Sequence, residues 1–153
     1  MLVRWLFAWL HLLGLGIGLG AVWARARALR GPLDTAGLRR VFHADAWWGI
    51  AAVIWISTGL VRVIGGLEKA TDYYLRNHVF WGKMTFLLVI LLLEIGPAVT
   101  LIRWRSQVAQ GVQPDTAPAG RFARISYVQL VLVVLMVLAA TAMARGLGMP
   151  ARM

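Results

Sequence analysis

The chain has 153 residues, of which 60% are hydrophobic and none is cysteine. Without cysteine it can form no disulfide, no thiolate nucleophile and no cysteine-ligated metal or iron–sulfur site. The net charge of +10 would suit nucleic-acid binding, but the basic residues lie between long apolar runs instead of along one solvated face. Nucleic acid is therefore not an expected partner.

Four apolar runs follow one another along the chain, at about 2–24, 44–65, 79–102 and 125–144. Each has about 20 residues, which is enough for a helix to cross a hydrocarbon layer of roughly 30 Å. The runs do not alternate apolar and polar faces, as the helices of a soluble bundle would. The sequence therefore predicts an all-α integral membrane four-helix bundle in a single domain, 1–153, with the lipid bilayer as its first partner.

The first run contains His11, about 13 Å below the outer end of the helix at 1.5 Å per residue. Gly14 and Gly18 follow at i+3 and i+7 and share its face. A histidine above small residues lets a flat ring system approach the backbone, which predicts His11 as a metal ligand and both glycines as cofactor contacts. In the alternative, the glycines pack helix against helix and His11 hydrogen-bonds across that interface.

The first and second runs are separated by a polar break, residues 23–45, that holds five of the sixteen basic residues. With the break after the third run, nine basic residues share one side, against five on the other: Arg25, Arg27, Arg30, Arg39, Arg40, Arg103, Arg105, Arg121 and Arg124, against Arg4, Lys69, Arg76, Arg145 and Arg152. Because basic loops stay cytoplasmic, both termini are expected on the outer, periplasmic side. The break is interpreted as an orientation signal that rests on anionic lipid headgroups.

Two cations fall inside the second and third runs. The second helix runs outward and the third inward, so Arg62 and Lys83 lie about one turn inside the outer boundary, slightly above His11. A cationic rim above an axial histidine suits haem b, whose propionates pair with Arg and Lys. Lys83 or Met84 could supply a second axial ligand. The alternative is that both cations extend to the headgroups.

Other polar residues have more ordinary interpretations. Tyr73, Tyr74 and Leu75 are expected to form a short interfacial helix on the outer side. Glu94 is expected to be a protonated structural hydrogen bonder, with Gln129 at a similar depth as its partner, although a proton relay stays open as its role. The two remaining histidines begin the second and third helices and are expected at the interfaces: His43 and His78.

Part of the chain resembles a known family. The residues that carry the resemblance are "GLVR" (59–62), the histidine of the first helix, and "HVFWGKMTFLLVILLLEIGPAVTLIRWR" (78–105). They resemble a bacterial family of small four-helix membrane proteins of unknown function, which implies the inner membrane. More distantly, they are similar to the haem-dependent membrane protoporphyrinogen oxidases of bacteria. That similarity implies His11 as a haem ligand and Arg62 and Lys83 as functional cations, although the arginine-rich first break departs from the pattern.

Three functions follow as expectations. The first is a b-type haem protein in electron transfer or porphyrin oxidation, an oxidoreductase that passes electrons to quinone or another membrane acceptor. The second is a non-catalytic accessory or assembly subunit, a homo-oligomer or part of a larger membrane complex. The third is a carrier in which Glu94 and His11 pass protons.

Overall fold

The computed structural model describes residues 1–66 and 70–148. Their helices, in chain order, are α1 (Leu2–Ala28), α2 (Thr35–Ile64), α3 (Thr71–Arg76), α4 (His78–Ala109) and α5 (Ala119–Ala144). Four of these, all but α3, are long and apolar enough to cross a membrane. At 1.5 Å per residue they extend about 39 to 48 Å, more than the hydrocarbon thickness. The prediction of an all-helical chain with four membrane-length helices is confirmed.

The long helices extend beyond the predicted ends. α1 ends at Ala28 instead of about 24, and α2 begins at Thr35 instead of about 44. α4 likewise continues to Ala109, and α5 begins at Ala119. Hydropathy marks where a chain leaves the apolar layer, whereas a helix continues through arginine, alanine and leucine because all three favour it. Most of the arginine-rich break is therefore helix.

The connection between α1 and α2 is reduced to residues 29–34. Asp34 caps α2 by accepting a hydrogen bond of 2.7 Å from the backbone N–H of Gly37. A Cβ on Gly37 would collide with the carbonyl oxygen of Pro32, so this tight turn needs glycine. We call the end of the fold with connections 29–34 and 110–118 the arginine-rich end, and the opposite end, with residue 1 and α3, the terminal end.

The terminal end is closed by α3 and the residues that flank it. α3 is the short helix predicted around Tyr73, but its tyrosines turn toward the long helices. Tyr74 is 7% exposed and contacts Phe80, and the Tyr73 hydroxyl donates to the carbonyl of Met143 at 3.0 Å. The buried Asn77 caps α4 and donates to the carbonyl of Leu147. Side-chain hydrogen bonds therefore join α3 and the start of α4 to the end of α5 and the residues that follow it.

The helices pack along two apolar clusters. α1 contacts α2 and α5, and α4 contacts α5. Near the arginine-rich end, one cluster comprises Leu29, Leu38, Val41, Leu101, Trp104, Ala119, Phe122 and Ala123. A central cluster comprises Ala21, Val22, Trp48, Ile90, Val133 and Met136.

Large apolar side chains also cover the outside of the fold. On α4 an outward stripe recurs at intervals of three and four residues, so it follows one face of the helix. Its members are between 46% and 63% exposed: Leu88, Leu92, Ile95, Val99 and Ile102. In water such a patch would be unfavourable, whereas it suits contact with lipid chains.

α1 and α2 approach each other closely at the predicted glycines. A Cβ on Gly14 would lie 3.1 Å from Ile54 and 3.2 Å from the backbone nitrogen of Trp55. Gly18 lies against Trp48 and Ala51. Both glycines thus serve the helix–helix contact that the alternative interpretation predicted.

We predict that Gly14→Leu lowers the midpoint of thermal unfolding in detergent, because the added side chain must push α1 away from the backbone of α2. Overpacking of this kind costs about 1–3 kcal/mol. Gly49→Leu is the matched control, since nothing lies within 4 Å of a Cβ built at that position. Unfolding is followed by tryptophan fluorescence. Equal unfolding midpoints for the two variants would contradict the close contact between α1 and α2 at Gly14.

Candidate functional site

His11 is held against α2 by its ring nitrogen Nδ1. This atom lies 3.0 Å from the carbonyl oxygen of Trp55 and 3.0 Å from the hydroxyl of Thr58. A carbonyl can only accept, so Nδ1 carries the proton and donates. In the neutral ring Nε2 then carries the lone pair, and it forms no hydrogen bond with the described residues. One nitrogen of His11 is thus committed to the fold and the other is available as a ligand or acceptor.

Gly59 gives the imidazole its place beside α2. A Cβ at this position would lie 3.1 Å from Cε1 of His11 and 3.6 Å from Nδ1. Any larger residue would therefore shift the ring away from the Trp55 carbonyl. The quoted "GLVR" segment contained this glycine, but its role depends on a contact across 48 residues that no local pattern reveals.

Trp55 shapes the same region with its side chain. Its ring centroid lies 5.8 Å from that of His11, with the planes tilted by 33°. Its indole Nε1 is buried and has no hydrogen-bond partner in the described part of the chain. A buried N–H without an acceptor is costly, so this donor is available to a ligand.

Two adjoining cavities open beside His11. The larger, about 320 Å³, is bordered by His11, Arg62 and Lys83 together with tyrosines of α3. The smaller, about 150 Å³, is bordered by His11, Lys83 and Met84. The structure thus brings four of the predicted site residues together. Gly14 and Gly18 instead border a third, apolar cavity of about 50 Å³, and their role as cofactor contacts stays a prediction.

Two basic side chains border the His11 cavities. Arg62 and Lys83 are half-buried and close enough to His11 to interact electrostatically with its ring. No Asp or Glu is among the described residues that line either cavity. Lys83 forms neither an ion pair nor a hydrogen bond within the described ranges. The site is therefore suited to an anionic or electron-rich ligand.

A second group of polar residues lies toward the arginine-rich end, and sequence reasoning missed its centre. Arg25 was expected in the polar break, but it lies within α1 and its side chain is 0% exposed. Side chains of a helix lean toward its N-terminus, which directs Arg25 into the fold and away from the nearby end.

All five N–H donors of Arg25 are used, the number that a guanidinium offers. Nη1 donates to Asp45 at 2.8 Å and to Glu94 at 2.6 Å. Nη2 donates to Glu94 and to Gln129, each at 2.8 Å. Nε donates to the Ser126 hydroxyl at 3.1 Å. Acceptors from α2, α4 and α5 thus converge on one residue of α1.

The network around Arg25 is balanced in charge. Asp45 also accepts from Arg105 at 2.7 Å, so two carboxylates face two guanidinium groups. Arg105, which was counted with the loop charges, is thus partly withdrawn from the surface. Balanced charge is what allows ionised groups to lie between apolar helices.

The hydrogen bond predicted between Glu94 and Gln129 is confirmed, with Gln129 Nε2 donating at 2.8 Å. The expectation that Glu94 is protonated does not fit the structure. Both of its oxygens accept N–H groups from Arg25, a bidentate geometry typical of an ionised carboxylate. Glu94 therefore serves as a counter-ion.

The other two histidines lie apart from both groups. His43 is exposed on α2 and accepts from the indole of Trp47 at 3.1 Å, and His78 is the first residue of α4. Neither borders the cavities around His11.

Four membrane-length helices joined by buried polar contacts define a multi-pass helical membrane protein. The chain belongs to the predicted membrane protein family DUF2214, which matches residues 3–148. The resemblance to a membrane family of unknown function is thus confirmed. No curated protein and no solved structure matches the chain, so the similarity to the protoporphyrinogen oxidases stays a prediction.

We predict that Arg25→Met lowers the free energy of unfolding by about 3–5 kcal/mol, because it leaves the largely buried Glu94 carboxylate without its counter-ion and Asp45 with Arg105 alone. Arg103→Met is the matched control, since Arg103 is exposed on α4. Urea or thermal unfolding in detergent measures both. If the two variants lose equal stability, Arg25 does not hold the network.

Proposed function

We propose that this protein binds haem b in the cavities beside His11 and works in electron transfer or porphyrin oxidation. The orientation of His11 carries the proposal. Its Nδ1–H donates to a backbone carbonyl, which leaves Nε2 to ligate a metal. Metal-binding histidines characteristically hold their second nitrogen in this way, because the hydrogen bond sets both the tautomer and the ring orientation.

The residues around His11 fit haem b in their chemistry. Phe80, Leu87 and Met136 offer an apolar wall for the macrocycle. Arg62 and Lys83 offer positive charge for its propionates. The larger cavity, about 320 Å³, lies at the lower end of the range of about 300–1,000 Å³ that is typical of small-molecule sites. The buried indole N–H of Trp55 is a further donor.

Two residues of α4 could hold the haem together with His11. Lys83 borders both cavities, whereas Met84 borders the smaller one. Lys83 is therefore the better-supported ligand, and Arg62 would then hold the propionates.

The proposal includes a placement in the bacterial inner membrane, with the arginine-rich end in the cytoplasm and both termini outside. Its support is the excess of basic residues in the helix ends and connections on that side, nine against five on the other. The His11 cavities then lie in the outer half of the membrane. Bound haem would supply one-electron chemistry, and a quinone or another membrane acceptor would receive the electrons. The chain itself holds His11 in one tautomer and surrounds the site with apolar residues.

We predict that the detergent-purified protein, expressed with ample haem supply, shows a Soret band that His11→Ala abolishes. His43→Ala and His78→Ala are matched controls and should keep the band, because neither residue borders the cavities. Lys83→Ala should shift the reduced spectrum, and Met84→Leu should not. Absence of a Soret band from the wild-type protein would contradict the proposal.

The same variants separate the alternative of a non-catalytic accessory subunit or homo-oligomer. In that case His11→Ala would reduce association or thermal stability, because the hydrogen bond from His11 to α2 is lost. The wild-type protein would then show no haem absorption.

A further inference from the structure

An open groove of about 1,140 Å³ lies between α1 and α2 at the arginine-rich end. Small residues form its floor, among them Gly16, Gly20 and Ala44. Nothing lies within 4 Å of a Cβ built on Gly16 or Gly20. The groove is therefore a furrow that opens to the surroundings, on a different face of α1 from the packed Gly14.

The end of the groove nearest the connection 29–34 is strongly basic. Arg27, Arg39 and Arg40 line it and are exposed. None of the three forms an ion pair or hydrogen bond with a described residue, and Arg27 stacks on the ring of Trp23 at 5.6 Å. No Asp or Glu is among the described residues that line the groove. The three guanidinium groups thus offer uncompensated positive charge and free donors.

His43 adds a further hydrogen-bond donor at the same end. Its Nε2 accepts from the indole of Trp47 at 3.1 Å, so in the neutral ring the proton is on Nδ1. The indoles of Trp23 and Trp47 border the groove and are about half exposed. Tryptophan at this level is typical of the boundary between hydrocarbon and headgroups.

The length of the groove matches half a bilayer. From Arg27 down to Gly16 is 11 residues, or about 16 Å of helix, and half of the hydrocarbon layer is about 15 Å. A ligand with an anionic head at the arginines and one apolar chain along the glycines would fill this space.

We propose that the groove binds one anionic glycerophospholipid from the leaflet on the arginine-rich side, with its phosphate at Arg27, Arg39 and Arg40 and an acyl chain along Gly16 and Gly20. A second copy of the chain is a poorer occupant, because a symmetric contact would bring the same three arginines together. The groove combines uncompensated positive charge with an apolar furrow. This combination makes it a specific lipid site and not only a basic surface.

The test uses the purified full chain with phosphatidylglycerol as the probe, measured by native mass spectrometry and by lipid-induced thermal stabilisation. We expect retained phosphatidylglycerol, little retained phosphatidylcholine and no stabilisation by inorganic phosphate. Arg39→Gln with Arg40→Gln should weaken phosphatidylglycerol binding about fivefold for each arginine removed, the factor typical of one basic group beside an anionic headgroup. Arg103→Gln with Arg124→Gln is the matched control, since both residues are exposed at the same end outside the groove.

A second pair of variants tests the acyl-chain part of the groove. Gly20→Leu should fill the furrow and reduce lipid retention, whereas Gly49→Leu, on an open face of α2 outside it, should not. Equal losses from the groove variants and their controls would overturn the site. Equal stabilisation by inorganic phosphate would show an anion site without a lipid chain, and a dimer broken by Gly20→Leu would show a protein partner; either result overturns the proposal.

Discussion

The fold depends on how one arginine is accommodated between apolar helices. A guanidinium group cannot lose its proton, so burying Arg25 requires an acceptor for every donor and a counter-charge. α2, α4 and α5 supply these as Asp45, Glu94, Gln129 and Ser126. The donor–acceptor distance of a hydrogen bond can vary by only a few tenths of an ångström. These contacts therefore fix the four long helices in one register.

The register in turn positions the opposite half of the fold. The antiparallel course of α1 and α2, held close at Gly14, brings His11 beside the Trp55 carbonyl and Gly59. α4 brings Lys83 and Met84 to the same level. The two polar groups differ in character, since Arg25 has every donor occupied whereas Nε2 of His11 and Nε1 of Trp55 have none of the described residues as partners. A saturated group stabilises the fold, and an unsaturated one is where a ligand can act.

The sequence predicted the spans and the clustering of His11, Arg62, Lys83 and Met84 for a simple reason. Helix length and the antiparallel order of the helices give each residue a depth in the membrane. Depth alone was enough to predict that these four residues lie at nearly the same level. The Glu94–Gln129 contact was predictable on the same basis.

Depth could not predict which residues meet around Arg25 or His11. Arg25 was assigned to a loop because hydropathy treats arginine as the end of a span, whereas the direction of its side chain takes it inward. Its partners are 20 to 104 residues away, and Gly59 acts only through its contact with a ring on another helix. The groove between α1 and α2 was likewise hidden, since the same arginines were interpreted as a loop.

The most direct test of this account is the coupling energy between Arg25 and Glu94, from the free energies of unfolding in detergent of Arg25→Met, Glu94→Gln and the double variant. Removing both partners leaves Asp45 paired with Arg105. The double variant should therefore be more stable than the sum of the single losses predicts, by about 1–3 kcal/mol. Strictly additive losses would contradict a charge network centred on Arg25.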